Sequence, residues 1–147
     1  MNTLVTGAAG FIGYHCSARL LDEGHRVVGL DSLNDYYSVQ LKRDRLERLQ
    51  SRDDFSFAHL ALEDLASLES LFRENDFDCV INLAAQAGVR YSLSHPFAYT
   101  RSNIDGFVTL LETIRHAGLK RIIYASSSSV YGGNTKLPFA EHDPVDT

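Results

Sequence analysis

The 147-residue sequence is short of cysteine, of long apolar runs and of positive charge. Its two cysteines, Cys16 and Cys79, each lie in an apolar pattern without CxxC spacing. That excludes a disulfide framework, and the expectation is two buried structural thiols and no metal site. No apolar run approaches the roughly 18 residues that a membrane span needs. A strand-like run starts at residue 2, so no secretory leader is expected and the expected location is cytoplasmic. Fourteen Lys and Arg against 19 Asp and Glu give a formal net charge of −5. Such a balance supplies no field to draw nucleic acid or an anionic membrane. The one basic stretch, Lys42 to Arg48, is interleaved with Asp44 and Glu47 and reads as the wet face of a helix.

What is present is a regular alternation of short apolar runs and helical periods. "TLVT" reads as a first strand. From Phe11 to Glu23 the period turns helical, with Ile12, Cys16, Leu20 and Leu21 on one side and Gly24 as the stop. "RVVGL" makes a second strand ending at Asp31, and a helix follows over about Val39 to Ser51. "FSFAHL" is a third strand, and Asp64 is placed to cap a short helix carrying Leu65, Leu68, Leu71 and Phe72. "CVINLAA" is a fourth strand, nearly continuous in apolar character, as a strand covered on both faces should be. A loop over Gln86 to His95 precedes a long helix from Pro96 to about His116, ended by Gly118. "RIIYAS" is a fifth strand, and the remainder reads as loop.

Five strands alternating with helices predict an α/β fold, a doubly wound parallel sheet of Rossmann-like order 3-2-1-4-5. In such sheets a ligand binds beyond the carboxyl ends of the strands, where the strand order reverses. After strand one comes "TGAAGFIG", with Gly7, Gly10 and Gly13 three residues apart. A turn without side chains there lets backbone N–H groups face a pyrophosphate at the positive end of the first helix. After strand two comes Asp31, 18 residues beyond Gly13, where a carboxylate holds the ribose hydroxyls of a dinucleotide and repels a 2′-phosphate. No Arg follows at Ser32 or Leu33, so the expected cofactor is NAD.

"VTGAAGFIG" with Asp31, then "NLAAQAGVRYS", "NIDGFVTLLE" and "YASSSSVYG", resembles the extended short-chain dehydrogenase/reductase family of NAD-dependent nucleotide-sugar epimerases and dehydratases. "GLDSLNDYYSVQLKRDRL" and "AAQAGVRYS" resemble, within it, the UDP-glucuronate 4-epimerases of bacterial polysaccharide pathways. The resemblance covers residues 1–147 as an NAD-binding Rossmann domain, incomplete after strand five and without a substrate domain. It implies an isomerase that transiently oxidises C4 of a UDP-sugar, such as UDP-glucuronate on its way to UDP-galacturonate. It matches Gly7, Gly10, Phe11, Ile12 and Gly13 to the pyrophosphate loop, and Asp31 and Asn34 to the adenosine side. Leu83, Ala84 and Ala85 match the strand-four end on the nicotinamide side, Gln86 a polar position near the ribose, and Asn103 a helix Asn of the family, all expected to bind the cofactor. Ser127 matches the serine that shares a proton with the catalytic tyrosine, Ser126 and Ser128 flank it near the substrate, and Arg90 is a candidate contact for an acidic sugar. The long helix leaves room for a homodimer.

Two departures stand out. Relatives carry an Asp after strand three, facing the adenine amine, where this sequence has Ala61. The backbone N–H of Leu62 remains for the cofactor. The family's Tyr-x-x-x-Lys pair is also missing: none of the seven tyrosines has Lys four residues on. Tyr131 has Lys136 five on, which is not the motif. The expectation is an NAD-binding part that is inactive alone. A dehydratase or decarboxylase of the same family is the alternative, although "SSSSVYG" carries no acid beside the serines.

Overall fold

The computed structural model describes residues 1–145. Its strands are β1 (Asn2–Thr6), β2 (Arg26–Asp31), β3 (Phe55–His59), β4 (Cys79–Asn82) and β5 (Ile122–Tyr124). All four pairings are parallel, and the order is β3-β2-β1-β4-β5, as the alternation of elements predicts. The helices are α1 (Phe11–Asp22), α2 (Val39–Gln50), α3 (Leu65–Glu74), the single turns α4 (Val89–Ser92) and α5 (Pro96–Tyr99), and α6 (Gly106–His116).

Period-two alternation sends successive strand residues to opposite faces of the sheet. Leu4, Val28, Leu30 and Val80 face a core closed by Leu68 of α3 and by Leu110 and Ile114 of α6. Val5 and Val27 face the other core, closed by Leu21 of α1 and by Leu46 and Leu49 of α2. Leu4, Val80, Leu68 and Leu110 are wholly buried. Each such side chain is worth about 1.5–3 kcal/mol in apolar area removed from water. The Asp64 side chain caps α3 as expected, accepting from the Ser67 N–H at 3.1 Å and the Ser67 hydroxyl at 2.6 Å. Those bonds hold its carboxyl below the ordinary range.

Four details differ from the sequence expectation. In α1 the inward stripe is Gly13, Ser17 and Leu21, while Ile12 is 62% exposed and Cys16 half-buried. The stripe starts at Gly13 because that residue alone lets the helix rest on the β1 exit turn, where a side chain would meet the Gly7 carbonyl oxygen at 2.0 Å. The helix expected over Pro96 to His116 is interrupted by a π-helical turn at Thr100–Asp105. This widened turn carries Asn103, whose amide caps the Gln86 peptide on the β4 exit. Within the expected Gln86–His95 loop, α4 forms one turn. A 3-10 turn at Ser128–Tyr131 follows β5. The two cysteines are unpaired, and burial pushes both thiols up, away from reactive thiolate character.

Beyond β5, the Tyr131 ring stacks on Phe139 with centroids 4.5 Å apart. The Lys136 ammonium pairs with Asp143, whose other carboxylate oxygen accepts from the Ala140 N–H at 2.8 Å. The ammonium beside it holds the Asp143 carboxyl below its ordinary range. Lys136 is therefore committed to Asp143, consistent with its spacing from Tyr131 being wrong for a catalytic pair. No helix among the described residues is long and apolar enough to cross a membrane.

Candidate functional site

The carboxyl ends of β1, β2 and β4 open into one cleft of about 470 Å³. That size lies within the range of small-molecule sites, about 300–1,000 Å³. Its floor is the β1 exit. Gly7 adopts φ +70°, a left-handed conformation, and a Cβ there would meet the Ala84 backbone nitrogen at 2.9 Å. The Gly10 N–H donates to the Gly7 carbonyl at 2.9 Å, closing a tight turn from which α1 starts. Gly10 itself caps α1 without a side chain, so the first N–H groups of the helix have no side-chain cap there.

One wall of the cleft comes from the β2 exit. Asp31 is 8% exposed and lines the cleft. One of its oxygens accepts from the Ala9 N–H at 3.1 Å, tying the glycine turn to β2. The other accepts from the Leu33 N–H at 2.8 Å. An ionised carboxylate has about four acceptor sites, so capacity remains for ribose hydroxyls. Asn34 follows in the cleft wall and is held by the Lys42 ammonium, which donates to its carbonyl and its side-chain oxygen, each at 2.8 Å.

The opposite wall is the β4 exit, comprising Leu83, Ala84, Ala85 and Gln86. The buried Thr6 hydroxyl organises it. It donates to the Asn82 side-chain oxygen at 2.6 Å and accepts from the Leu83 and Ala84 N–H groups, both at 3.1 Å. This capture of two N–H groups ends β4 at Asn82, short of the expected strand through Ala85. Further along, the Gln86 N–H donates to the Asn103 side-chain oxygen at 2.8 Å, and the Asn103 amide donates to the Gln86 carbonyl at 3.0 Å. Asn103 thus braces the wall from behind and is not among the residues lining the cleft.

The remaining wall follows β3. Leu62 lines it with Ala61 and Glu63. Over the opening, Tyr36 from the β2 side approaches Tyr91 from the β4 side, ring centroids 4.8 Å apart. Tyr91 stacks on His95 at 4.1 Å, and the Tyr99 hydroxyl donates to the Ala87 carbonyl at 2.8 Å.

Of the residues singled out from sequence, Gly7, Gly10, Asp31, Asn34, Leu62, Leu83, Ala84, Ala85 and Gln86 come together around this cleft. Gly13 is buried beneath the turn. Phe11 and Ile12 are 67% and 62% exposed at the start of α1, on a shallow patch shared with His15 and Cys16. Ser126, Ser127 and Ser128 are exposed past the end of β5, outside the cleft lining. The Ser127 hydroxyl accepts from the Ser129 N–H and donates to the Ser129 hydroxyl, both at 3.2 Å. Arg90 is exposed on α4 and forms no ion pair among the described residues.

Lys42 and Arg45, expected on a wet helix face, and Thr6, expected only as a strand residue, all contribute to the site. Lys42 is not on a wet face: it is 4% exposed and lines the cleft. Its spacing to Leu46 and Leu49, at i, i+4 and i+7, was the available signal, since those three are the buried residues of α2. Burial pushes the Lys42 ammonium below its ordinary value, against the pull of Asp31 and Asp35. Arg45 is half-buried and donates to the Ala9 carbonyl at 3.2 Å and the Tyr37 hydroxyl at 3.1 Å.

The cradle fits a dinucleotide on three observations: a side-chain-free turn that a Cβ would obstruct, an uncapped helix start behind it, and a carboxylate with spare acceptor sites across from it. Comparison with known proteins agrees. The chain is 47% identical over 146 residues to a probable UDP-glucuronate 4-epimerase of Rhizobium meliloti, covering 99% of this chain and 43% of that protein. It is 50% identical over 147 residues to UDP-glucuronate 4-epimerase 2 of Arabidopsis thaliana, covering 34% of its length. The chain thus spans less than half of the curated relatives it matches. Among solved structures, a UDP-glucose-4-epimerase from Stenotrophomonas maltophila with bound NAD and formylated UDP-arabinopyranose superposes with TM-score 0.85 at 33% identity, over 99% of this chain and 42% of that one. A UDP-glucuronic acid 4-epimerase from Bacillus cereus, in complex with UDP-glucuronic acid and NAD, superposes with TM-score 0.82 at 36% identity, over 92% of this chain and 43% of that one. Residues 4–147 match the family described as GDP-mannose 4,6 dehydratase, and the chain belongs to that family.

Proposed function

We propose that these 147 residues supply the NAD-binding part of a UDP-sugar 4-epimerase acting on UDP-glucuronate. The observation that carries this reading is the pairing of the Gly7–Gly13 turn with Asp31 through the Ala9 N–H, which sets a pyrophosphate cradle beside a ribose-binding carboxylate. NAD, when bound, supplies a reversible hydride acceptor for a sugar carbon. The residues of this chain do the holding. Backbone N–H groups at the start of α1, at Phe11 and Ile12, face the pyrophosphate, and Asp31 and Asn34 hold the adenosine side. The wall Leu83–Gln86, braced by Thr6 and Asn103, shapes the nicotinamide side. Ser127, past the end of β5, is the residue of this chain assigned to the sugar hydroxyl, with Ser126 and Ser128 beside it and Arg90 as a contact for the sugar carboxylate. The base that takes the hydroxyl proton is not among the tyrosines here, so the 147 residues alone bind the cofactor without turning over sugar. The serine run lacks a neighbouring acid, which supports epimerisation over dehydration.

Titration calorimetry tests the cofactor half of this reading. NAD is expected to bind the unmodified chain, and Asp31→Ala is expected to weaken it at least tenfold, through the loss of charge-assisted bonds to ribose hydroxyls worth about 1.5–3 kcal/mol. Equal affinity in the two proteins would overturn the assignment of Asp31.

A further inference from the structure

The segments that follow β2 and β4 meet above the cleft. In the sheet β1 lies between those two strands and pairs with both. A contact between their exits therefore crosses over the Gly7–Gly13 turn that follows β1. Adjacent strands lie about 4.8 Å apart, so the span is roughly 10 Å. Two tyrosines cross it. Tyr36 reaches from the β2 side and Tyr91 from α4; both line the cleft, and their rings pack with centroids 4.8 Å apart at an interplanar angle of 59°. Each ring is supported on its own side. Tyr91 stacks flat on His95, and the Tyr99 hydroxyl fastens the neighbouring Ala87 and Gly88 carbonyls. Gly88 has φ +96°, and a Cβ there would collide with the Tyr36 hydroxyl, so the missing side chain is what lets Tyr36 lie against the β4 exit. Tyr36 also meets Tyr37 edge-on at 6.5 Å, and the Tyr37 hydroxyl accepts from Arg45 at 3.1 Å.

We propose that Tyr36 and Tyr91 form an aromatic latch across the mouth of the cleft and that opening this latch gates the entry and departure of the dinucleotide. This rests on the reading of the cleft as a dinucleotide site. A pyrophosphate on the glycine turn places one nucleoside on the β2 side and the other on the β4 side, and the ring pair crosses between those two halves. The ligand is wide on both sides of the strap, so it neither enters nor leaves while the rings are together. Every contact in the latch is between groups of the protein. It needs no ligand atom to close and opposes passage in both directions. Tyr36 is 40% exposed and lies between β2 and α2, outside both elements, so its ring swings away without disturbing either core. In the proposed reaction the hydride returns to the sugar and the cofactor is not consumed, so slow exchange does not limit turnover.

Stopped-flow fluorescence with NADH on the full chain measures the association rate, and displacement of bound NADH by excess NAD measures the dissociation rate. Tyr36→Ala is expected to raise both by about three- to tenfold, the worth of one aromatic pair, while Kd stays within about twofold. Tyr36→Phe keeps the ring and is expected to keep the unmodified rates. Tyr91→Ala is expected to match Tyr36→Ala, and the double variant to be no faster than either, because the two rings make one latch. Faster dissociation alone, with affinity lost in proportion, would make Tyr36 a ligand contact and overturn the gate. Unchanged rates in Tyr36→Ala, or single effects that multiply in the double variant, would overturn it as well. These results leave the dinucleotide reading intact. Should Tyr91→Ala not fold, the contrast between Tyr36→Ala and Tyr36→Phe decides alone. Absence of NADH binding by the unmodified chain overturns the dinucleotide reading and this inference together.

Discussion

Gly13→Ala is expected to lower stability by about 3 kcal/mol, at the top of the usual range for overpacking, and to abolish NAD binding. The added methyl would stand 2.0 Å from the Gly7 carbonyl oxygen, 2.7 Å from the Gly7 carbonyl carbon and 2.9 Å from the Ala8 Cα. All three are backbone atoms, and none can rotate away. Relief requires α1 to lift off the turn, which uncovers the stripe of Ser17 and Leu21 and moves the first N–H groups of the helix away from the cradle. The same substitution at Gly133 meets nothing within 4 Å and is expected to be neutral. Urea denaturation of the two variants measures the contrast. Equal stabilities would show that the turn and α1 are not in contact as described.

Thr6→Val is the second large effect, an expected loss of roughly 3 kcal/mol with weakened NAD binding. The Thr6 hydroxyl has one proton and two acceptor sites, and all three are used, on Asn82, Leu83 and Ala84. Valine fills the same space and orphans two N–H groups and one side-chain oxygen at a residue with no solvent exposure. Thr6→Ser restores the hydroxyl and loses only a methyl, so it is expected to stay within about 1 kcal/mol of the unmodified chain. Amide hydrogen exchange supplies a local readout: Leu83 and Ala84 lose protection in Thr6→Val and keep it in Thr6→Ser. Retained protection in both would remove Thr6 from its place as organiser of the wall.

These two positions differ in how plainly the sequence announces them. Three glycines behind a strand, followed by a helical period and a carboxylate at the next strand end, point to a dinucleotide turn because few other tasks need that combination. The strand order is legible for a similar reason, since alternating strands and helices with right-handed crossovers leave few topologies. Thr6 is hidden because a β-branched residue in a strand reads as packing, and nothing in "TLVT" reveals that its hydroxyl faces the β4 exit. Lys42 is hidden because charge counts outweigh periodicity in a stretch as basic as "KRDRLER". Asn103 matches a cofactor-lining position by resemblance, yet its amide is spent on the Gln86 peptide in the π-helical turn. That geometry depends on partners 17 residues away along the chain. The inward stripe of α1 was misread for a related reason: hydrophobicity favours Ile12 and Cys16, while close approach to the turn selects Gly13 and Ser17.

A crystal structure of the chain grown with NAD tests the central claim most directly. The expected result is a pyrophosphate against the N–H groups at the start of α1, with both hydroxyls of the adenosine ribose within hydrogen-bond distance of Asp31. A dinucleotide bound elsewhere on the surface, or an empty cleft at saturating NAD, would contradict it.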